Sequence, residues 1–265
     1  MKNPLFALLP LLTVAGGLTL ALHPAPAPPA ARPTAAPTER VPVAVELFTS
    51  EGCSSCPSAD AALRELTEAQ SVPGVEVVAL GQHVDYWNRL GWKDVFSSPQ
   101  FTERQRQYAA VFHDDTYTPQ AVVNGRFEFV GSQRATLAAR VAEAARAPRA
   151  TVSLTRAGAD NLAVQVRDLP AGTAPSEVSL LLTETGLSSQ VGRGENSGRL
   201  LRHAAVVRQL QSLGKVSPAG TFTATVPLPL RPEWHAANLR AVVLVQELAS
   251  RHVVGVGTLA LAPTQ

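Results

Sequence analysis

The sequence predicts an α/β domain followed by a mainly β, sandwich-like domain. Two patterns carry the prediction. Between Val43 and Arg146, short apolar runs alternate with stretches of helical spacing. Beyond Pro148 the helical spacing stops, and short apolar runs follow one another between polar residues, glycine and proline. The 265 residues suit one large domain or two ordinary ones, and 45% hydrophobic against 17% charged residues is a composition that builds packed cores. A net charge of +2 with no basic cluster excludes the electrostatic footprint of a nucleic-acid binder.

Lys2 and the apolar run Leu5–Leu22 read as a signal peptide over residues 1–22. Ala25-Pro26-Ala27 has the small-x-small pattern of a cleavage site, but Pro28 behind it opposes cleavage. An uncleaved membrane anchor is the second reading, with Pro10 and Gly16-Gly17 interrupting a run close to the ~20 residues a span needs. Both readings place the folded part outside the cytoplasm, periplasmic or secreted, and membrane contact is expected only if the segment stays attached. Residues 23–42 are rich in alanine and proline and read as an extended linker. The α/β domain is expected over 43–147 and the β-rich domain over 148–265.

In chain order, Val43–Phe48 is an apolar strand, and Ala59, Ala62, Leu63 and Leu66 repeat at helical spacing within a helix from Ser58 to Gln70. Val75–Leu80 is a buried strand, and Pro99–Phe112 is a helix. Ala121–Val123 and Phe127–Val130 flank Asn124-Gly125, the strongest short hairpin signal. Ser132–Arg146 is a last helix, with Ser132 as expected N-cap. The second half predicts strands at Thr151–Leu154, Leu162–Val166, Val178–Leu182, Phe222–Val226, Leu239–Val245 and Val253–Leu259. Leu200–Leu213 fits a short helix or a strand equally. The glycine-rich run Gly192–Gly198 lacks the Gly-Lys-Ser/Thr ending of a phosphate loop and reads as a flexible loop.

The chemistry concentrates at Cys53-Ser54-Ser55-Cys56, the only cysteines. A disulfide closing so short a loop adds little stability. Two thiolates are half of a four-thiolate zinc site, and no histidine follows Cys56 to mark haem attachment. The spacing is that of a reversible dithiol. It falls between a strand and a helix, where the free N–H groups and the helix dipole lower a thiol pKa.

This order of elements resembles the thioredoxin superfamily. The likeness is carried by Cys53-Ser54-Ser55-Cys56, Thr118-Pro119 and Asn124-Gly125. More narrowly, Val45–Pro57, His83–Trp87, Thr116–Gln120 and Gly192–Asn196 are similar to a family of exported bacterial thioredoxin-like proteins of unknown function. The resemblance implies Cys53 as attacking thiolate, Cys56 as resolving thiol, and Pro119 as a cis-proline facing them. It sets Glu46 near the place of a buried acid that shuttles a proton, and a strand-edge carboxylate is the alternative. His83, Asp85 and Trp87 follow the second strand, at the sheet edge expected to border the dithiol. His83 then acts on a thiol, binds metal with the two sulfurs, or is a loop histidine bonded to backbone. Trp87 and Trp92 form an apolar platform or cover the sheet, and Thr118 precedes the cis bond. His113-Asp114-Asp115 has too few ligands for a hard cation and reads as a helix end and an acidic turn.

These residues predict a thiol–disulfide oxidoreductase or redox partner. It acts on an unidentified protein thiol or disulfide, is recycled by a second protein, and needs no cofactor. Copper or zinc handling through the same cysteines and a non-catalytic binding module are the alternatives.

Overall fold

The computed structural model describes residues 40–262, which belong to one compact unit. The expected signal peptide and nearly all of the linker lie outside them. In order come β1 (Val41–Thr49), α1 (Cys56–Ala69), β2 (Val75–His83), α2 (Pro99–Phe112), β3 (Gln120–Val123), β4 (Phe127–Val130) and α3 (Arg134–Ala144). They are followed by β5 (Thr151–Arg156), β6 (Asn161–Arg167), β7 (Ser176–Glu184), β8 (Ser188–Gln190), β9 (Leu200–Arg202), β10 (Val206–Lys215), β11 (Phe222–Pro227), β12 (Leu239–Glu247) and β13 (Val253–Ala260). No helix among the described residues is long and apolar enough to cross a membrane.

The fold corrects the expectation of an α/β thioredoxin-like domain plus a separate β domain. The protein is mainly β, with three α-helices among the described residues and one mixed eight-stranded sheet in the order β13-β12-β7-β10-β2-β1-β3-β4. The seam is β10. It runs antiparallel to β7 and bridges parallel to β2 through Val206 and Gly81, where Gly81 N–H donates to Ala205 O at 2.6 Å. A Cβ at Gly81 would stand 3.0 Å from that oxygen, so glycine permits the approach. An open edge of β2 would leave backbone groups unpaired, and at Gly81 the start of β10 supplies a partner.

Side-chain alternation along β1 divides the core. Val43, Val45 and Leu47 pack with Ala59, Leu63, Leu137 and Val141 of α1 and α3. On the opposite face Ala44 joins Val78, Leu80, Phe101 of α2, Leu181 of β7 and Val242 of β12. One core thus draws on both halves of the chain. Leu180, Leu182, Val243 and Val245 turn the other way, against Leu162, Val164 and Leu154 of the small sheet β11-β6-β5. The larger of these two layers continues into the first half, so the second half is not a separate sandwich. The hairpin at Asn124-Gly125 closes this arrangement: Asn124 Oδ1 accepts from Ala44 N–H at 2.8 Å and Asn124 O accepts from Val253 N–H at 2.9 Å. The expected cap of the third helix is displaced, since α3 begins at Arg134 after Gln133.

Candidate functional site

Cys53 and Cys56 form a disulfide, with Cys56 opening α1 and their Cα atoms 5.4 Å apart. Pro57 follows without loss, because first-turn N–H groups have no helical partner. The first turn carries no acid to oppose a thiolate. Ser55 Oγ lies 3.3 Å from Cys53 Sγ. Ser54 and Ser55 are exposed, but each cysteine is only 1% exposed.

The cover comes from far along the chain. Strands β8 and β9 pair as a hairpin whose tip is the glycine-rich run, so that run is an ordered cap and not a free loop. Buried Asn196 donates from Nδ2 to Glu51 O and to Cys53 O, both at 2.9 Å. The exposed Glu195 carboxylate accepts from Ser54 N–H at 2.9 Å, and its hydrogen bonds to Ser54 hold its pKa below the usual carboxylate value. Trp92 Nε1 donates to Glu51 Oε2 at 2.6 Å, and its ring lies beneath Gly192, where a Cβ would come within 3.2 Å. Two hydrogen bonds at about 1 kcal/mol each make the cover costly to lift. Asn196→Ala is therefore expected to speed reduction of the disulfide by dithiothreitol roughly 10- to 30-fold. An unchanged rate would show that the hairpin does not gate the sulfurs.

The Thr118–Pro119 bond is cis. Trp87 Nε1 donates to Thr118 Oγ1 at 2.9 Å, and Trp87 lies against Gly52, where a Cβ would come 3.4 Å from its own Cβ. The indole thus ties the residue before Cys53 to the residue before Pro119. The other expected neighbours are engaged elsewhere. Asp85 faces α2, where its Oδ1 accepts from Thr102 Oγ1 at 2.5 Å. Glu46 also faces α2 and not α1, held by Arg104, Tyr108 and Gln82, so the proton-shuttle reading gives way to a buried ion pair. Exposed His113 ends α2, with the acidic turn after it.

His83 ends β2 and is not a loop histidine bonded to backbone, and the two sulfurs are joined to each other. Its Nδ1 lies 2.7 Å from Asp94 Oδ2, and its ring stands edge-on to His203 at 4.8 Å between centroids. Burial opposes charge on both members of the pair. Their mutual attraction outweighs it, raising the pKa of His83 and lowering that of Asp94. Glu51 and Asp60 complete a buried cluster with these residues, and Asp60, His83 and His203 each offer a donor atom within 4.8 Å of the others. Sequence reading missed Glu51, Asp60, Asp94, His203, Glu195 and Asn196. One signal was present: Asp60 sits on the apolar face of α1, between Ala59 and Leu63, where an acid has no reason to be unless something binds it.

The profile of a family described as "Protein of unknown function (DUF1223)" matches residues 44–246, a span holding the disulfide, its cover and both histidines. A crystal structure of an Agrobacterium tumefaciens protein is 30% identical, covering 86% of this chain and 97% of that one with a TM-score of 0.68. A domain of the outer membrane lipoprotein Omp28 from Porphyromonas gingivalis is 14% identical over 44% of this chain and 92% of that one, with a TM-score of 0.30. No curated protein matches.

Proposed function

Because the chain belongs to the DUF1223 family, whose function is unknown, the reading has to come from its own chemistry, and we propose a thiol–disulfide exchange protein that works outside the cytoplasm through Cys53 and Cys56. The observation that carries it is the disulfide across the start of α1, with a hydroxyl beside Cys53 Sγ and a cover that leaves Ser54 and Ser55 exposed but neither cysteine. In the reduced protein the Cys53 thiolate attacks a substrate disulfide, forming a mixed disulfide and releasing one substrate thiolate. The Cys56 thiolate then attacks Cys53 Sγ, releasing the second substrate thiolate and restoring the internal disulfide. Two electrons pass from this chain to the substrate, and the reverse sequence oxidises a dithiol. The substrate is a protein, and a second protein returns the pair to its starting state. Export rests on the apolar residues 5–22.

Equilibration with glutathione, followed by trapping of free thiols, tests the reading. The pair is expected to exchange, Cys56→Ser to accumulate a glutathione adduct on Cys53, and Cys53→Ser to abolish turnover of a model disulfide. A pair that stays oxidised in reduced glutathione, even with Asn196 replaced by alanine, would overturn it.

A further inference from the structure

We propose that Asp60, His83 and His203, with Glu51 as fourth donor, form a binding site for a divalent first-row transition metal of the zinc class, separate from the two sulfurs. The donors come from four places in the chain: the loop after β1, the buried face of α1, the end of β2 and the segment after β9. All are buried, with Glu51 0%, Asp60 4%, His83 1% and His203 4% exposed.

Three atoms of this cluster, Glu51 Oε1, His83 Nε2 and His203 Nε2, have no hydrogen-bond partner. Glu51 Oε1 and His203 Nε2 approach to 3.3 Å without the alignment of a hydrogen bond. Buried polar atoms seldom remain unpaired, and three at one spot mark a missing partner. That partner is positive. Glu51, Asp60 and Asp94 are buried together, and among the described residues their ion-pair contacts are to histidine alone.

The surroundings hold each donor in place, and a metal that enters takes the place of any proton on the imidazole nitrogens that face it. Asp94 engages His83 Nδ1, which leaves Nε2 to face the cluster; a carboxylate orienting a ligating imidazole through its other nitrogen is the usual outer support of a metal site. Trp92 engages Glu51 Oε2 and leaves Oε1. Thr49 Oγ1 and Ala204 N–H donate to the two oxygens of Asp60 at 2.8 and 3.2 Å, and each oxygen keeps a second lone pair. Tetrahedral zinc with bonds of 2.0–2.1 Å places its ligand atoms about 3.3 Å apart. Glu51 Oε1 and His203 Nε2 already stand at that separation, and Asp60, His83 and His203 offer donor atoms within 4.8 Å of one another; an ion that takes all four draws Glu51 toward this trio. Two imidazoles and two carboxylates without sulfur suit zinc and its neighbours, not Cu(I), and calcium demands more oxygens. A surface cavity bordered by Thr67, Leu187, His203 and Ala204 gives a metal its way in.

The test is titration of chelator-stripped, disulfide-intact protein with Zn²⁺ in a calorimeter and with Co²⁺ under visible spectroscopy. One ion per chain is expected. The Co²⁺ spectrum should show the d–d bands of nitrogen and oxygen ligands and no sulfur-to-cobalt charge transfer. Asp94→Asn should weaken Zn²⁺ binding 10- to 100-fold, and His203→Ala should weaken it further. The Cys53→Ser/Cys56→Ser double variant should bind as the parent does, which keeps this site independent of the dithiol reading. Absence of stoichiometric binding by the unmodified protein, a sulfur charge-transfer band, or loss of binding in the double cysteine variant would overturn it. The spectrum of the unmodified protein decides the matter even if His203→Ala fails to fold.

Discussion

Replacing Arg104 with alanine is expected to remove about 3–5 kcal/mol of folding stability. Its guanidinium meets Glu46 through Nη2 at 2.8 Å and Nε at 2.5 Å, with both side chains buried. Tyr108 and Gln82 also donate to that carboxylate, while Arg104 Nη1 donates to Gln246 Oε1 at 3.0 Å and Gln246 Nε2 donates to Tyr108 OH at 2.7 Å. The network joins β1, β2, α2 and β12, so alanine strands a carboxylate where water cannot reach it. Denaturant unfolding measures the loss. The double variant Glu46→Gln/Arg104→Met should recover much of it, because no charge then remains unpaired. Burial alone would raise the pKa of Glu46, but Arg104 outweighs it and leaves the carboxyl below its ordinary 4.5. A depressed folded value means that the contribution is complete above the unfolded value and is lost as pH falls through the folded one. The parent should therefore lose stability on acidification below about pH 4.5 more steeply than the double variant does.

Gly125→Ala is expected to cost about 2–4 kcal/mol, the sum of a left-handed backbone and a steric clash. The residue has φ 63°, and a Cβ there would run into the Arg251 carbonyl oxygen and lie 3.2 Å from His252 Cα. The obstacle is backbone and cannot swing aside. It is also anchored, since Arg251 O accepts from Gln246 Nε2 at 2.6 Å. Gly158→Ala isolates the clash: its φ is 84°, and nothing lies within 4 Å of the added carbon. Thermal unfolding should show a much smaller loss for Gly158→Ala, and equal losses would mean that the hairpin tip gives way.

Local pattern foretold local structure well. Each of the six expected strands of the second half exists, and α2 runs over the residues its spacing indicates. What the pattern lacked was information about edges. Val206-Val207 in a run open to two readings becomes β10, and a single parallel bridge to Gly81 merges two expected domains into one sheet. No local signal marks a pairing between residues so distant. The same holds for the site. Cys53 and Cys56 could be placed between a strand and a helix from local signals, Trp87 from the end of the second strand, and Thr118 only from the resemblance. Asn196 fell in a run that shared the family resemblance but read as a flexible loop, and His203 has no partner within sequence reach of it. For Glu46 the sequence left both faces of β1 open, and alternation turns it from α1 toward α2.

The β2–β10 seam also sets a timetable. Gly81 leaves the ribosome about 125 residues before Val206, and until then Ala44, Val78 and Leu80 lack Leu181, Val207 and Val242 as neighbours. Contacts of such long range make folding slow and late. The first half waits as an unfinished, adhesive sheet edge. The cysteines are then bare while the chain is incomplete, because Asn196, which shields them in the finished protein, is still to be delivered. Until the β8–β9 hairpin is made nothing of it lies over these sulfurs; once it is, a reagent of any size reaches them through the opening of that hairpin.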